Sequence, residues 1–349
     1  MLDAWLANGM KQMKLGQWSG CSGVPLNLAL QGGGAHGAVT WGVLDALLEH
    51  GRWDIRAVSG SSAGALNAVL LAQGMQQGGA EAARELLRRF WMRLAASMPA
   101  SMVAPAGDDG GLTPPMRMAL QWAQALSPYV LNPLGLNPLR DLLAEIVDFD
   151  RLRHPIAPRL YIGATHAGSG RLRLFRNREL SLEALLASTC LPGVHHTVDI
   201  DGEPYWDGGL AANPPLLPLV FDEPCADTVL VLLGPLDLGA APRSADGIRS
   251  RMLELAFGGP LVRELQLLQE ARRQLAGGLW NFGRLPRSLA RARLHCIDAA
   301  ESLRELDGYS RLVVHPGFFQ RLFDQGREQA QRWMREHGAA VGQRSSMPV

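Results

Sequence analysis

Two glycine-containing turns, each between a short apolar run and a helical pattern, constrain the fold of this 349-residue chain more than any other feature. Residues 26–30 are apolar, and after a run of three glycines apolar residues recur at helical spacing over Val39–Leu48. A second apolar run, Ile55–Val58, leads into Gly60–Gly64 and another helical pattern, Ala65–Met75. Strands that alternate with helices form parallel sheets with helices on their faces. The sequence therefore predicts an α/β fold.

The rest of the chain repeats strand and helix patterns without an internal repeat or an obvious linker. Residues 80–150 have a helical pattern interrupted by prolines. Strand patterns resume at residues 159–164, 171–175, 228–233 and 294–297. Further helical patterns occupy residues 182–188, 248–291 and 318–337. We expect one α/β domain with a helical insertion and a helical C-terminal extension.

Composition excludes several classes of protein without indicating an activity. Since 34 Lys and Arg residues balance 33 Asp and Glu residues, the net charge of +1 gives no electrostatic reason to expect a nucleic-acid partner. Four cysteines lie far apart with no CxxC spacing, which argues against a disulfide scaffold or a zinc site and suits a reducing compartment. No apolar run approaches the ~20 residues of a membrane span, and residues 1–20 lack the apolar core of a signal peptide. We therefore expect a cytoplasmic protein, for which any membrane contact is peripheral, on the inner membrane face.

The first candidate motif is the glycine run, which has the form G-x-G-x-x-G between a predicted strand and a predicted helix. Its residues are Gly32, Gly33, Gly34, His36 and Gly37. Bare amides at this position can hold a dinucleotide pyrophosphate or the oxyanion of an acyl transfer, and a turn without a ligand is the third interpretation. A dinucleotide site requires an acidic residue about 20 positions on, at the end of the second strand. That strand ends at Ser59-Gly60, which weakens the dinucleotide hypothesis.

The second motif, Gly60–Gly64, has the form G-x-S-x-G and lies between a predicted strand and a predicted helix. This context is typical of a nucleophile elbow, in which a tight turn points a serine hydroxyl out of the sheet. Gly60 and Gly64 leave room for such a turn. The pattern alone is often accidental, but its strand–turn–helix context makes Ser62 the predicted nucleophile.

A serine nucleophile needs a base, and the sequence offers two kinds. A Ser–His–acid triad stays open because seven of the nine histidines are internal candidates: His36, His154, His166, His195, His196, His295 and His315. The alternative base is Asp207, which ends a strand pattern before Gly208 and Gly209, where the backbone can approach another element closely. By itself, Asp-Gly-Gly is a common turn signal.

The order of these three motifs resembles the patatin-like phospholipase family. The resemblance includes LNLAL before the glycine run, TWGVLDALLEHG after it, and ALLASTCLPGVHHTVDIDGEPYWDGGLAANPP at residues 184–215. It implies a three-layer α/β/α sandwich with a mainly parallel central sheet. It covers roughly residues 26–220, which we expect to form the catalytic domain, whereas residues 221–349 carry no assigned motif and are expected to pack on the same domain.

The resemblance also implies a Ser–Asp dyad with no catalytic histidine, no cofactor and no metal. Carried over to this sequence, Ser62 is the nucleophile and Asp207 is the base. The oxyanion hole is assigned to the backbone amides of Gly32, Gly33 and Gly34, with the last two favoured. An exposed aspartate, with a pKa of about 3.9, is a weak base, so the dyad requires a partly buried Asp207 or a strong oxyanion hole.

His36 departs from the family pattern, which has Arg or Lys at the fifth position of the glycine motif. A permanent cation is therefore missing from the motif itself. Because histidine titrates at a pKa of about 6.5, we expect activity to depend on pH through His36.

The expected activity is hydrolysis of lipid esters, either in solution or at a membrane surface. The sequence gives no prediction of oligomeric state. Acyl transfer to another acceptor and hydrolysis of short-chain or polyester substrates stay open, and a dinucleotide-binding protein that uses Gly32–Gly37 is a remote alternative. The insertion can wall an acyl pocket, although helix packing is favoured for each of its residues: Phe90, Trp91, Met92, Met98, Met102, Met116, Met118, Trp122 and Tyr129. Arginine-rich residues 263–293 can lie on an anionic membrane, but solvated helix faces are the commoner explanation.

Overall fold

In a computed structural model the chain folds around one mixed β-sheet. The structure describes residues 23–97, 126–154, 158–276, 283–304 and 308–347, and the single residues 113, 115, 118, 122 and 306. The strands are β1 (Val24–Leu30), β2 (Trp53–Gly60), β3 (Arg159–His166), β4 (Leu172–Arg176), β5 (Val198–Ile200), β6 (Glu203–Asp207), β7 (Asp227–Leu232) and β8 (Arg293–Asp298).

Helices connect these strands in the alternation that the sequence predicts. In the described residues they are α1 (Gly37–His50), α2 (Ala63–Ser97), α3 (Pro128–Leu131), α4 (Pro138–Ile146), α5 (Phe149–Leu152), α6 (Leu182–Ser188), α7 (Leu217–Phe221), α8 (Ala245–Ala276), α9 (Arg284–Arg291), α10 (Ala300–Leu303) and α11 (Pro316–His337). Short 3₁₀ helices occupy Gly34–His36, Asn177–Glu179, Gly208–Leu210, Gly308–Leu312 and Gly338–Ala340.

The sheet has the strand order β5-β6-β3-β2-β1-β7-β8, with β4 paired to β3. The pairs β1–β2, β1–β7, β2–β3 and β7–β8 are parallel, and the pairs β3–β4, β3–β6 and β5–β6 are antiparallel. Parallel pairing thus runs from β3 through the centre to the edge strand β8, as expected from strands separated by helices, and antiparallel pairing lies on the other side of β3. Two of the strands, β7 and β8, come from the part of the chain after residue 220.

Helices cover both faces of the sheet, as the alternation of side chains along β1 shows. Leu26, Leu28 and Leu30 lie in a core shared with α1, α2 and α11. Ala29 points to the opposite face, in a second core built largely from α7, α8 and α9. The predicted three-layer α/β/α sandwich with a mainly parallel central sheet is confirmed.

Strand direction brings the candidate motifs to one edge of this sheet. Since β1 and β2 are parallel, the glycine run after β1 and the elbow after β2 both lie at the C-terminal ends of the central strands. β3 pairs first with β2, where Gly60 is opposite Ile162, and then with β6, where Ala164 is opposite Asp207. Asp207 therefore lies just beyond the end of β2, beside the turn that carries Ser62.

The sequence predicted a strand that ends at Asp207, but it did not predict the β5–β6 hairpin to which this strand belongs. Its turn residues Asp201 and Gly202 have φ values of 56° and 82°. Two successive residues with positive φ are typical of the type I′ hairpin turn, for which Asp-Gly is a preferred sequence. That dipeptide was the available signal.

Candidate active site

Ser62 occupies a strained turn between β2 and α2. Its φ of 55° lies in the left-handed region that serine rarely adopts. The backbone amide of Ser62 donates to the carbonyl of Ser188 at 3.0 Å and lies 3.2 Å from the Ser188 hydroxyl. A Cβ on Gly64 would collide with the Leu30 carbonyl, so the turn needs a glycine there. The predicted elbow geometry is present, with a half-buried Ser62 next to the helix N-terminus, where negative charge is favoured.

Its neighbour Ser61 has a different environment. Ser61 is fully buried, and its hydroxyl donates to the carbonyl of Ala212 at 2.6 Å. Ser61 therefore ties the elbow to the segment after Asp207, which leaves Ser62 as the accessible hydroxyl of the motif.

Asp207 is a fully buried carboxylate at the end of β6. Oδ1 accepts the Gly209 amide at 2.8 Å, whereas Oδ2 has no hydrogen-bond partner of normal length among the described residues. Burial raises the pKa of Asp207 to about 7, and the Gly209 amide and the nearby Ser62 side chain offset only part of that rise. The structure therefore places Asp207 beside the Ser62 side chain, and burial makes this carboxylate more basic than an exposed aspartate.

The glycine run packs against the elbow and is fixed by Asn213. The Gly32 amide donates to Asn213 Oδ1 at 2.7 Å, so this amide is engaged within the protein. No hydrogen bond to a described residue engages the amides of Gly33 and Gly34. Those two amides are the donors left for a ligand oxygen. The other motif glycines are at close contacts: Gly37 against α2, Gly60 against Gly64, Gly208 against the Gly163 carbonyl, and Gly209 beside Phe257 of α8.

His36 lies inside the protein rather than at an accessible position. Its exposed fraction is 4%, and Nε2 is 2.8 Å from the Ser310 hydroxyl. Burial, followed by the positive charge of Arg311, lowers the pKa of His36 to about 3. The structure contradicts the expected pH dependence through His36, because this imidazole is neutral throughout the physiological range.

The structure does not place any histidine in a triad with Ser62. All nine histidines lie in the described residues, and none of them hydrogen bonds to Ser62. His295, for example, is bound to Asp227 near the opposite edge of the sheet. His195 and His196 line a cavity near the site, where His196 stacks on Tyr129.

That cavity, of about 360 Å³, lies beside the segment that joins α6 to β5. The backbone carbonyl of Cys190, in its wall, accepts a hydrogen bond from the Asp207 amide at 2.7 Å, which connects the cavity wall to Asp207. Leu136, Arg140 and Asp199 also contribute, so the lining is both apolar and charged. Among the described residues no cluster of three or more His, Cys, Asp or Glu side chains has an arrangement that could hold a metal ion.

The apolar residues that were considered as the wall of an acyl pocket lie partly in the core and partly on the surface. Phe90 and Trp91 are buried in the core and Met92 packs against it, so the packing interpretation is confirmed for these residues. The exposed fractions of Trp122 and Tyr129 are 73% and 53%. Met118 is exposed too, whereas Met98, Met102 and Met116 lie outside the described residues. Within the described chain, no helix combines the length and the hydropathy that crossing a bilayer requires.

Sequence reasoning missed three residues that shape this site: Ser188, Asn213 and Arg311. Ser188 and Asn213 lie inside the 184–215 segment on which the family resemblance rests, so that segment was the signal. Arg311 approaches the glycine run from the C-terminal extension, and no local pattern in the sequence indicates it.

Comparison with known proteins places the chain in a family. The family model described as patatin-like phospholipase matches residues 28–220, more than half of the 349 residues. No curated protein gives a significant match. Among solved structures, the chain is similar to VipD from Legionella pneumophila, with 16% identity and a TM-score of 0.44 over 90% of this chain and 67% of the other. It is also similar to the ExoU–SpcU complex of the Pseudomonas aeruginosa type III secretion system, with 19% identity and a TM-score of 0.29 over 92% of this chain and 61% of the other.

Proposed function

The chain belongs to the patatin-like phospholipase family, and from that premise we propose that it hydrolyses lipid esters with Ser62 as nucleophile and Asp207 as general base. Membership in the family supports lipid acyl hydrolysis in general. The observation that carries the dyad is a buried carboxylate, with a pKa near 7 and a free Oδ2, beside the hydroxyl of an elbow serine. A base is most effective when its pKa lies near the working pH.

In the acylation step, Ser62 Oγ forms a bond to the ester carbonyl carbon while Asp207 accepts the hydroxyl proton. The carbonyl oxygen becomes an oxyanion, which the Gly33 and Gly34 amides stabilise. One such donor contributes about 3 kcal/mol to the transition state. The tetrahedral intermediate then expels the alcohol, which leaves with the proton held by Asp207.

In the deacylation step, water attacks the acyl-enzyme and Asp207 accepts its proton. The second tetrahedral intermediate uses the same two amides. Its collapse releases the fatty acid, and Ser62 Oγ regains a proton from Asp207. The dyad therefore returns to its starting state with no cofactor taking part.

We assign the lipid-facing side to the exposed apolar segment next to the cavity. Leu136 lines the cavity with an exposed fraction of 69%, and Leu134 nearby is 81% exposed. Val130, Leu131 and Tyr129 add to the same surface. Apolar side chains clustered on a surface mark sites of lipid or protein contact, so we expect ester substrates to enter from a lipid surface here.

The dyad is tested by labelling with a serine-directed alkyl phosphonate, followed by mass spectrometry. We expect one adduct, at Ser62, that is absent in Ser62→Ala and forms at least tenfold more slowly in Asp207→Asn. Ser97→Ala is the matched control, because it removes an exposed hydroxyl at the far end of α2 and leaves the nucleophile and its turn in place. Labelling that is unchanged in Asp207→Asn and abolished by substitution of His195 would indicate a histidine base instead.

The lipid surface is tested by hydrolysis of two substrates, a long-chain phospholipid in vesicles and a dissolved short-chain ester. Leu134→Asp should lower the rate on vesicles several-fold and leave the rate on the dissolved ester unchanged. Leu285→Asp, at an exposed leucine on α9, is the control. Equal losses on both substrates would contradict the assignment of this surface. Product analysis with added alcohol acceptors separates hydrolysis from acyl transfer.

A further inference from the structure

A 3₁₀ helix of the C-terminal extension, Gly308–Leu312, packs directly on the glycine run. Gly34 has a φ of 59°, and a Cβ at this position would collide with the Arg311 carbonyl. The Ser310 hydroxyl is 2.8 Å from His36 Nε2, across a separation of 274 residues in sequence. The backbone of the proposed oxyanion loop is thus held by residues of the C-terminal extension that are distant from it in sequence.

Arg311 also brings a positive charge to this loop. Its side chain is half-buried, and no carboxylate among the described residues lies within ion-pair distance of its guanidinium. Glu254 of α8 acts on it from farther away, but that carboxylate is paired to Arg251 at 3.2 Å. The Arg311 side chain begins beside the loop, because its Cβ lies 3.6 Å from the position that a Cβ on Gly34 would occupy. Its charge also contributes to the lowered pKa of His36. A charge in a half-buried position is screened less by solvent than an exposed one.

We propose that Arg311 supports catalysis without touching the substrate: its backbone fixes Gly34, and its permanent charge stabilises the oxyanion at the Gly33 and Gly34 amides. This inference rests on the proposed function. The oxyanion is the group on which negative charge develops in the transition state, and a positive charge fixed by packing stabilises it with no reorganisation at that moment. The neutral His36 cannot supply that charge, whereas an arginine stays protonated at any working pH.

The experiment compares Arg311→Met, which keeps the side-chain volume and removes the charge, with Arg311→Lys, which keeps the charge. On a dissolved ester we expect Arg311→Met to lower kcat about tenfold with KM nearly unchanged, because the charge acts mainly on the transition state. Arg311→Lys should restore most of kcat. Arg304→Met is the matched control, because Arg304 is an exposed arginine of the same extension.

Thermal unfolding is measured on every variant, and Arg311→Gln replaces Arg311→Met if the latter does not fold. Loss of kcat in the neutral variant, rescue by lysine and similar Tm values support an electrostatic role. Equal losses in the neutral and lysine variants, or no loss in the neutral variant, overturn it.

Phosphonate labelling of the wild-type protein separates this inference from the proposed function. If Ser62 is not labelled, both fail. If Ser62 is labelled and Arg311→Met has the wild-type kcat, the role of Arg311 alone is overturned.

Discussion

Two buried aspartates, each on a strand next to an edge strand of the same sheet, have opposite surroundings. Asp207 ends β6 with an exposed fraction of 0%, and its described contacts include no cation. Asp227 begins β7 with an exposed fraction of 3%, and it accepts two hydrogen bonds from Arg293, at 2.9 and 2.6 Å, and one from His295 at 3.0 Å. The Gly342 amide adds another at 2.9 Å.

The neighbours, rather than burial, decide what each carboxylate can do. Burial dominates at Asp207 and raises its pKa to about 7. At Asp227, burial is outweighed by hydrogen bonds from His295, Arg293 and the Gly342 amide, which hold its pKa well below the usual range. Asp227 therefore stays ionised and links β7 to β8 and the end of the chain, whereas Asp207 can gain and lose a proton near neutral pH.

The largest expected effect is on activity in Asp207→Asn. The amide cannot accept the Ser62 proton, so kcat should fall about 10³-fold, within the range for loss of a general base. Steady-state hydrolysis of a dissolved ester measures this. A loss of less than about tenfold would show that Asp207 is not the base.

The same variant should unfold at a higher temperature than wild type at pH 8. The pKa of Asp207 is raised in the folded state, so the charge costs stability as the pH rises from about 4, near the pKa of an unfolded aspartate, to about 7. The neutral asparagine removes that cost. Scanning calorimetry at pH 8 and pH 4 should show a gain in Tm that shrinks at the lower pH.

The second effect is on stability in Asp227→Asn. Removing the carboxylate leaves Arg293 and His295 without their partner, which should cost about 3 kcal/mol of unfolding free energy at pH 7. The hydrolysis rate per folded molecule should stay at the wild-type value, because Asp227 lies far from Ser62. Urea unfolding at pH 7 measures the loss.

The sign of the pH dependence at Asp227 is opposite to that at Asp207. The pKa of Asp227 is depressed in the folded state, so its stabilising contribution is present above about pH 4 and is lost as the pH falls below that value. The two variants should therefore differ from wild type in opposite directions at pH 8. A shift of Tm in the same direction for both variants would contradict the opposite pKa shifts of the two aspartates.

The third effect is on the pH profile of the wild-type enzyme. The base must be deprotonated, so kcat/KM should rise with an apparent pKa near 7 and level off at higher pH. A profile that levels off by pH 5 would indicate that Asp207 has an ordinary pKa in the free enzyme.

The smallest effect is expected for His36→Gln. This variant tests whether the pH profile of kcat/KM comes from Asp207 alone. His36→Gln loses part of the contact with Ser310 and should lower the rate, but the apparent pKa of kcat/KM should not move. The pKa of His36 itself is about 3, far from the profile. A shift of the apparent pKa in this variant would instead make His36 a titrating group of the reaction.

The parts of the fold and site that were predictable from sequence are those encoded locally. The elbow at Ser62 and the glycine run are recognisable in the sequence because a strand, a tight turn and a helix require particular residue types at fixed spacing. Helix α6 has the bounds that its pattern predicts, residues 182–188. The alternation of β1, α1, β2 and α2 likewise follows from hydrophobic periodicity.

The parts that were not predictable depend on contacts between distant segments. The pKa of His36 is set by burial under residues more than 270 positions away, so the free value for histidine was misleading. The Gly32 amide is occupied by Asn213, across 181 residues, which no local pattern indicates. The basicity of Asp207 follows from its pairing opposite Ala164 of β3, a consequence of topology.

The contact between His36 and Ser310 has a consequence for the order in which the enzyme is made. The glycine run and the elbow leave the ribosome early, but the residues that hold and charge the loop follow some 274 positions later. Ser62 is therefore translated long before the residues that brace the loop beside it. We expect the proposed site to be complete only after residue 311 has left the ribosome and packed on the glycine run.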